Sequence, residues 1–445
     1  MDTTPAPGNP PADGEIAHLA APPLVAGTEL IGRYQGSGYR EPPYLVRRPD
    51  DQILQLTPLL YSLASVLDGQ RTYAQVAVEL SGRCGRDITA DQVSYLVENR
   101  LSQAGLVADG PAADGARRAA PKARDRLLAL KFRVALVPEH VVAVIARVFQ
   151  PLFWPPVVVL GVAGFALADI WLAVHGGVEG VLASAHALIN RPEQILLVLG
   201  LLVVAGVFHE CGHVAACRYG GARPGAMGVG IYLVWPAMYS TVTDSYRLDR
   251  AGRLRTDLGG IYFNALAMLV MIVVYLRTGA PWLLASVVAW QATTVWQFLP
   301  SIRLDGYYIL SDLVGVPDLF DRMGPVLRSL LPGREPHPRL RELKPWARRV
   351  ITAWVVLVIP CLAYWIIAFL ILAPHVLPGL GKALVDHGRE LGEHVQDGAV
   401  AGAAVGVIRI LMLLLPWAGM ALILCNLGAG FVRFLGRRRA RRAPD

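Results

Sequence analysis

Charge is scarce in this chain: Asp, Glu, Lys and Arg make up 17% of its 445 residues, against 54% hydrophobic residues. That balance excludes an ordinary soluble globular protein and fits a protein embedded in a membrane. Cysteine is sparse as well. Cys84, Cys211, Cys217, Cys361 and Cys425 are odd in number and scattered, without a CxxC pair, so no disulfide framework follows. The first residues lack a basic stretch followed by an apolar one, so no cleavable signal peptide is expected, and 1–29 reads as a disordered lead-in. The net charge of +8 would suit a nucleic-acid partner. Its basic residues instead crowd the flanks of apolar segments and end in the run Arg437–Arg442, as a membrane orientation signal does. No nucleic-acid partner is expected.

What the chain has is long apolar runs. Six candidate spans stand out by length and apolarity, at roughly 152–174, 194–217, 258–276, 282–299, 350–372 and 403–427. The expected fold class is therefore mainly α, a polytopic helical membrane protein of about six spans, with a small N-terminal α+β domain. Arg218–Asp257 carries six Arg and Arg303–Arg349 nine Arg or Lys, whereas the loops 175–193 and 374–398 are poor in both. The lipid bilayer is thus an expected partner, and the positive-inside bias places both termini in the cytoplasm of a bacterial inner membrane. Segment 227–238 is too short to span and reads as re-entrant or membrane-edge. Residues 126–150, apolar but punctuated by Lys131, Arg133, Glu139, His140 and Arg147, read as an interfacial amphipathic helix.

At the end of the second apolar run stands His209-Glu210-Cys211-Gly212-His213. On a helix, positions i and i+4 share a face, so the two imidazoles can meet one Zn2+ ion. Glu210 then lies where it can take a proton from water. Ionisable groups at membrane depth are costly unless they pair or bind something, which favours the metal reading over a solvated helix face. A catalytic zinc needs a third protein ligand. Asp305, in Leu304-Asp305-Gly306-Tyr307-Tyr308, follows the inward-running fourth span and reaches the same depth as the histidines. Asp244 is an alternative ligand, with Tyr239 and Thr243 beside it on a possible entry path. Asp312 reads as a cap or surface charge, Cys217 as a small packing residue despite sharing the histidines' helical face. His387 and His394 fall in a loop on the far side, and Gln291 and Gln297 imply a polar interior in the fourth span.

From His209 to Asp305 the order of motifs resembles the site-2 protease family of intramembrane zinc metalloproteases, over about 194–313. The resemblance implies His209, His213 and Asp305 as metal ligands and Glu210 as general base. The family also carries Gly-Pro-x-x-Asn on the helix between these segments. Here Gly260-Ile261-Tyr262-Phe263-Asn264 keeps Gly and Asn without the Pro. Asn264 stabilises an oxyanion, orients a substrate backbone, or hydrogen-bonds between helices.

Residues 30–107 alternate and repeat like two short strands (44–48 and 52–56) followed by three helices. Leu67-Asp68-Gly69 before a Thr-led helix, with a final Gln103-Ala104-Gly105-Leu106-Val107, resembles PqqD-like domains, which implies a bound peptide. A linker, 108–125, joins it to the membrane domain, 151–436, and a basic tail, 437–445, closes the chain. Together these features resemble peptide zinc metalloproteases and imply a hydrolase acting on a membrane-associated peptide or protein substrate. The alternative is a peptide-export or immunity membrane protein that keeps the zinc fold for binding alone.

Overall fold

The computed structural model describes residues 16–50, 52–107, 130–189, 192–331, 333, 335 and 337–440. The expected linker 108–125, the start of the lead-in and residues 441–445 of the tail lie outside them. The chain divides into two compact units, Met1–Asp125 and Arg126–Asp445.

The first unit joins a three-stranded antiparallel sheet, β1 (Glu29–Arg33), β2 (Tyr44–Arg47) and β3 (Ile53–Leu56), to α1 (Pro58–Val66), α2 (Tyr73–Cys84) and α3 (Ala90–Leu96). Threonines start each helix. Thr57 caps α1, while Thr72 and Thr89 form capping boxes with Gln75 and Gln92, satisfying amides that a helix start leaves unpaired. Strand β1 was not expected from the sequence. A register shift between Leu30 and Gly32 breaks the period-two pattern that would have marked it. The lead-in is also shorter than expected. Ala21 N–H donates to the Arg71 carbonyl at 2.8 Å and Val25 N–H to that of Leu106 at 3.0 Å, so this stretch is stitched to the unit.

The second unit is mainly helical. Its elements are β4 (Leu130–Val137), α4 (Glu139–Phe149), α5 (Pro155–Ile189), α6 (Pro192–Tyr219), β5 (Met227–Tyr232), β6 (Trp235–Ser240), α7 (Arg250–Thr278) and α8 (Pro281–Phe298). Then follow α9 (Asp305–Val314), α10 (Phe320–Ser329), α11 (Pro338–Arg341), α12 (Pro345–Gln396) and α13 (Val400–Ala440). Five helices among the described residues are long and apolar enough to cross a membrane, within α5, α6, α7, α12 and α13. The chain is thus a mainly α protein of membrane type.

Four expectations change. The fourth expected span is a helix, α8, but Gln291, Thr293, Thr294 and Gln297 dilute its apolarity, and the count of spans by length and composition is five rather than six. Those polar groups are used inside the bundle: Gln291 donates to Asp169, and Thr294 and Gln297 accept from Asn264. Of the interfacial helix expected over 126–150, residues 126–129 lie outside the described residues, and among the rest the helix begins at Glu139. Val137 precedes Pro138, which disfavours the helical region, and β4 instead pairs antiparallel with β5. Segment 227–238 is a β-hairpin, giving a sheet in the order β4-β5-β6. Finally, the loops expected at 175–193 and 374–398 are largely helical. Helix α12 runs through Pro360, Pro374 and Pro378 and turns into α13 only at Gly398, whose φ is 70°. His387 and His394 therefore sit on a helix, where His387 contacts Glu390 at 3.4 Å.

Helices α6 and α7 cross at van der Waals distance because both are glycine at the crossing. A Cβ on Gly259 would stand 2.5 Å from the Gly212 carbonyl oxygen, and one on Gly212 would strike that of Gly259. Aromatic packing closes the crossing from one side, with Phe208 and Phe263 ring centroids 4.5 Å apart and Phe149 edge-on to both.

Candidate metal centre

Three side chains meet beside this crossing. His209 and His213 project from one face of α6, and Asp305 opens α9. Their candidate ligand atoms all lie within 4.8 Å of one another. Nε2 of His209 is 3.2 Å from Nε2 of His213 and 3.2 Å from Oδ2 of Asp305, and Nε2 of His213 is 3.6 Å from Oδ1. Four ligands on a tetrahedral zinc, with bonds of ~2.0–2.1 Å, stand about 3.3 Å apart. The two edges at His209 have that size, while His213 lies closest to the other Asp305 oxygen, and one ligand atom from each residue fits within 4.8 Å.

The outer partners fix which nitrogen faces the centre. His213 Nδ1 lies 2.8 Å from the Thr256 carbonyl oxygen, which can only accept, so the proton is on Nδ1. His209 Nδ1 lies 3.0 Å from Asn264 Oδ1. Asn264 in turn donates from Nδ2 to Thr294 Oγ1 at 3.1 Å and to Gln297 Oε1 at 2.8 Å, which identifies Oδ1 as its acceptor end. Both imidazoles thus hold an N–H outward and a lone pair inward, the arrangement seen for metal-bound histidines. The Asp305 Oδ2 atom is buried without a hydrogen-bond partner. Inward lone pairs against a buried carboxylate repel one another unless a cation lies between them, and this donor set fits zinc.

Space for that cation comes from Gly260. A Cβ there would stand 2.6 Å from His209 Nε2 and would collide with His213 Nε2 as well. Glycine leaves the pocket open where any other residue would fill it.

The remaining candidates fall elsewhere. Asn264 is wholly buried, and its Nδ2 donates to Thr294 and Gln297 of α8, so it joins two helices. Asp244 is buried but binds the Arg223 amide and the Arg247 guanidinium, each at 2.8 Å, and is not part of the cluster. Cys217 is buried and outside it too. Asp312 is no surface charge: it is buried and pairs with Arg253 at 3.0 Å. Thr256, Gly260, Thr294, Arg253 and Asp312 went unread as contributors. For Arg253, Thr256 and Gly260 the signal was the spacing 253, 256, 260, 264, one stripe along α7; Thr294 and Asp312, on other helices, carried no such mark.

Over 106 residues the chain is 26% identical to a protein of Bacillus subtilis (strain 168) named "Putative peptide zinc metalloprotease protein YydH". The match takes in 23% of this chain and 42% of that protein, so the chain spans under half the length of this relative. No family model and no solved structure matches the chain. The relative's name accords at a coarse level with a peptidase that uses zinc.

Proposed function

We propose that the chain is a membrane-embedded zinc endopeptidase that cuts a membrane-associated peptide or protein. The observation that carries this reading is the triangle of His209, His213 and Asp305, with each imidazole held by an acceptor on its outer nitrogen. Bound there, zinc would polarise the scissile carbonyl and make a water molecule acidic enough to attack near neutral pH.

The protein's own side chains do the rest. Glu210 follows His209 on α6, takes the proton of the attacking water and passes it to the leaving amine. Asn264 and the Thr256 carbonyl hold the ring orientations throughout. A substrate helix must unwind to be cut, because its carbonyls are already hydrogen-bonded. Strand β6 is the last of its sheet, so an extended substrate can pair along its free side. The first unit, with its PqqD-like order of elements, serves in this reading to bind a peptide. The basic loops favour the cytoplasmic face of a bacterial cell membrane for the metal centre, and both termini share that side in the reading that counts α8 as a sixth crossing.

Glu210→Gln tests the reading in proteoliposomes. It keeps every proposed ligand and removes the base, so zinc is expected to stay bound while peptide cleavage is lost. Cleavage that survives with zinc in place excludes the mechanism, whereas loss of cleavage with transport retained separates two functions.

A further inference from the structure

Arg253 is wholly buried, the largest such side chain among the described residues. Its Nε donates to Asp312 Oδ1 at 3.0 Å and its Nη1 to the Leu248 carbonyl at 2.9 Å. Asp312 is itself buried. None of the proposed chemistry uses this pair, and a buried ion pair is seldom kept for stability alone, since well-packed apolar residues often serve as well or better.

Position supplies the missing reason. Asp312 lies seven residues after Asp305 on α9, two turns or about 10 Å along the axis, and therefore on the same face. Arg253 begins the α7 stripe that continues through Thr256, whose carbonyl holds His213, then Gly260, which leaves room for the ion, and Asn264, which holds His209. One face of α9 thus meets one face of α7 at two levels, the metal ligands above and the ion pair below. At the other end, Gly306 packs directly on the Phe298 carbonyl, where a Cβ would clash. Helix α9 is pinned at both ends, and its far end is tied to the helix that orients the histidines by the Arg253–Asp312 bond, with Asp257 of α7 also hydrogen-bonded to Asp312.

We infer that Arg253 and Asp312 are positioning residues: their bond sets the height and rotation of α9 and so holds the Asp305 carboxylate at the metal. This rests on the metal-centre reading above. A charged, hydrogen-bonded contact suits the task because it is directional, whereas apolar packing lets a helix slide or turn at small cost. Neither residue touches the ion or the substrate.

The test uses the full chain purified in detergent, with zinc affinity measured by chelator competition and thermal unfolding of the zinc-free protein measured beside it. Asp312→Asn is expected to weaken zinc binding on the order of 10–100-fold, the scale of outer-shell changes in metal sites. Because a stranded guanidinium can also destabilise the fold, the deciding variant removes both charges, Arg253→Met with Asp312→Leu. It is expected to unfold near the wild-type temperature when zinc-free and still to bind zinc weakly. Arg253→Lys, which keeps a charge and a donor, is expected to bind more tightly than Arg253→Met. Wild-type zinc affinity in the double variant overturns the inference, and so does a double variant that no longer folds, which would make the pair structural only. A wild-type chain that takes up no zinc overturns the metal-centre reading itself and this inference with it.

Discussion

Asn264 accepts a hydrogen bond from His209 at 3.0 Å, joining two helices through the ring that faces the centre. Fifty-five residues separate the two in sequence, and the bond decides which nitrogen of His209 is free.

Asn264→Ala is accordingly expected to weaken zinc binding by about 10–100-fold while leaving the ligand set intact. Chelator competition on the purified variant checks this. Asn264→Asp keeps an acceptor for the His209 N–H, so it is expected to retain more affinity than the alanine variant.

Gly260→Ala adds one methyl group where His209 and His213 converge. The two rings cannot both stay in place beside it, and metal content by elemental analysis is expected to fall to background. Alanine favours helix over glycine by roughly 1 kcal/mol, so the helix that carries it is not expected to weaken.

Zinc is expected to stabilise the protein, because the inward-facing lone pairs and the buried Asp305 carboxylate repel one another without a cation. At free zinc a hundredfold above Kd the gain is about 2.7 kcal/mol. Thermal unfolding in detergent, with and without chelator, reads this directly. In His213→Ala the same comparison is expected to show little difference between the two conditions.

The site was more legible than the frame that holds it. The i, i+4 spacing of His209 and His213 is local, whereas Asp305 is read from α8 ending at their depth as a fourth span, a count that α8 does not meet by length and composition. Asp312 could not be separated from a surface charge, because its partner Arg253 lies 59 residues away and only tertiary packing joins them. Strand β4 reads as helix until Pro138 is given its due weight, since Phe132, Val134 and Leu136 are exposed and no buried face announces the alternation. Helix α12 passes three prolines that would ordinarily signal a break. Gly260 is legible only as a glycine; the reason for it appears once the two rings are seen around it.

Zinc stoichiometry of the purified full-length chain, with His213→Ala and Asp305→Ala measured alongside, tests the central claim most directly. One zinc per chain in the wild type, lost in both variants, is the predicted result. Stoichiometry that neither substitution alters would contradict it.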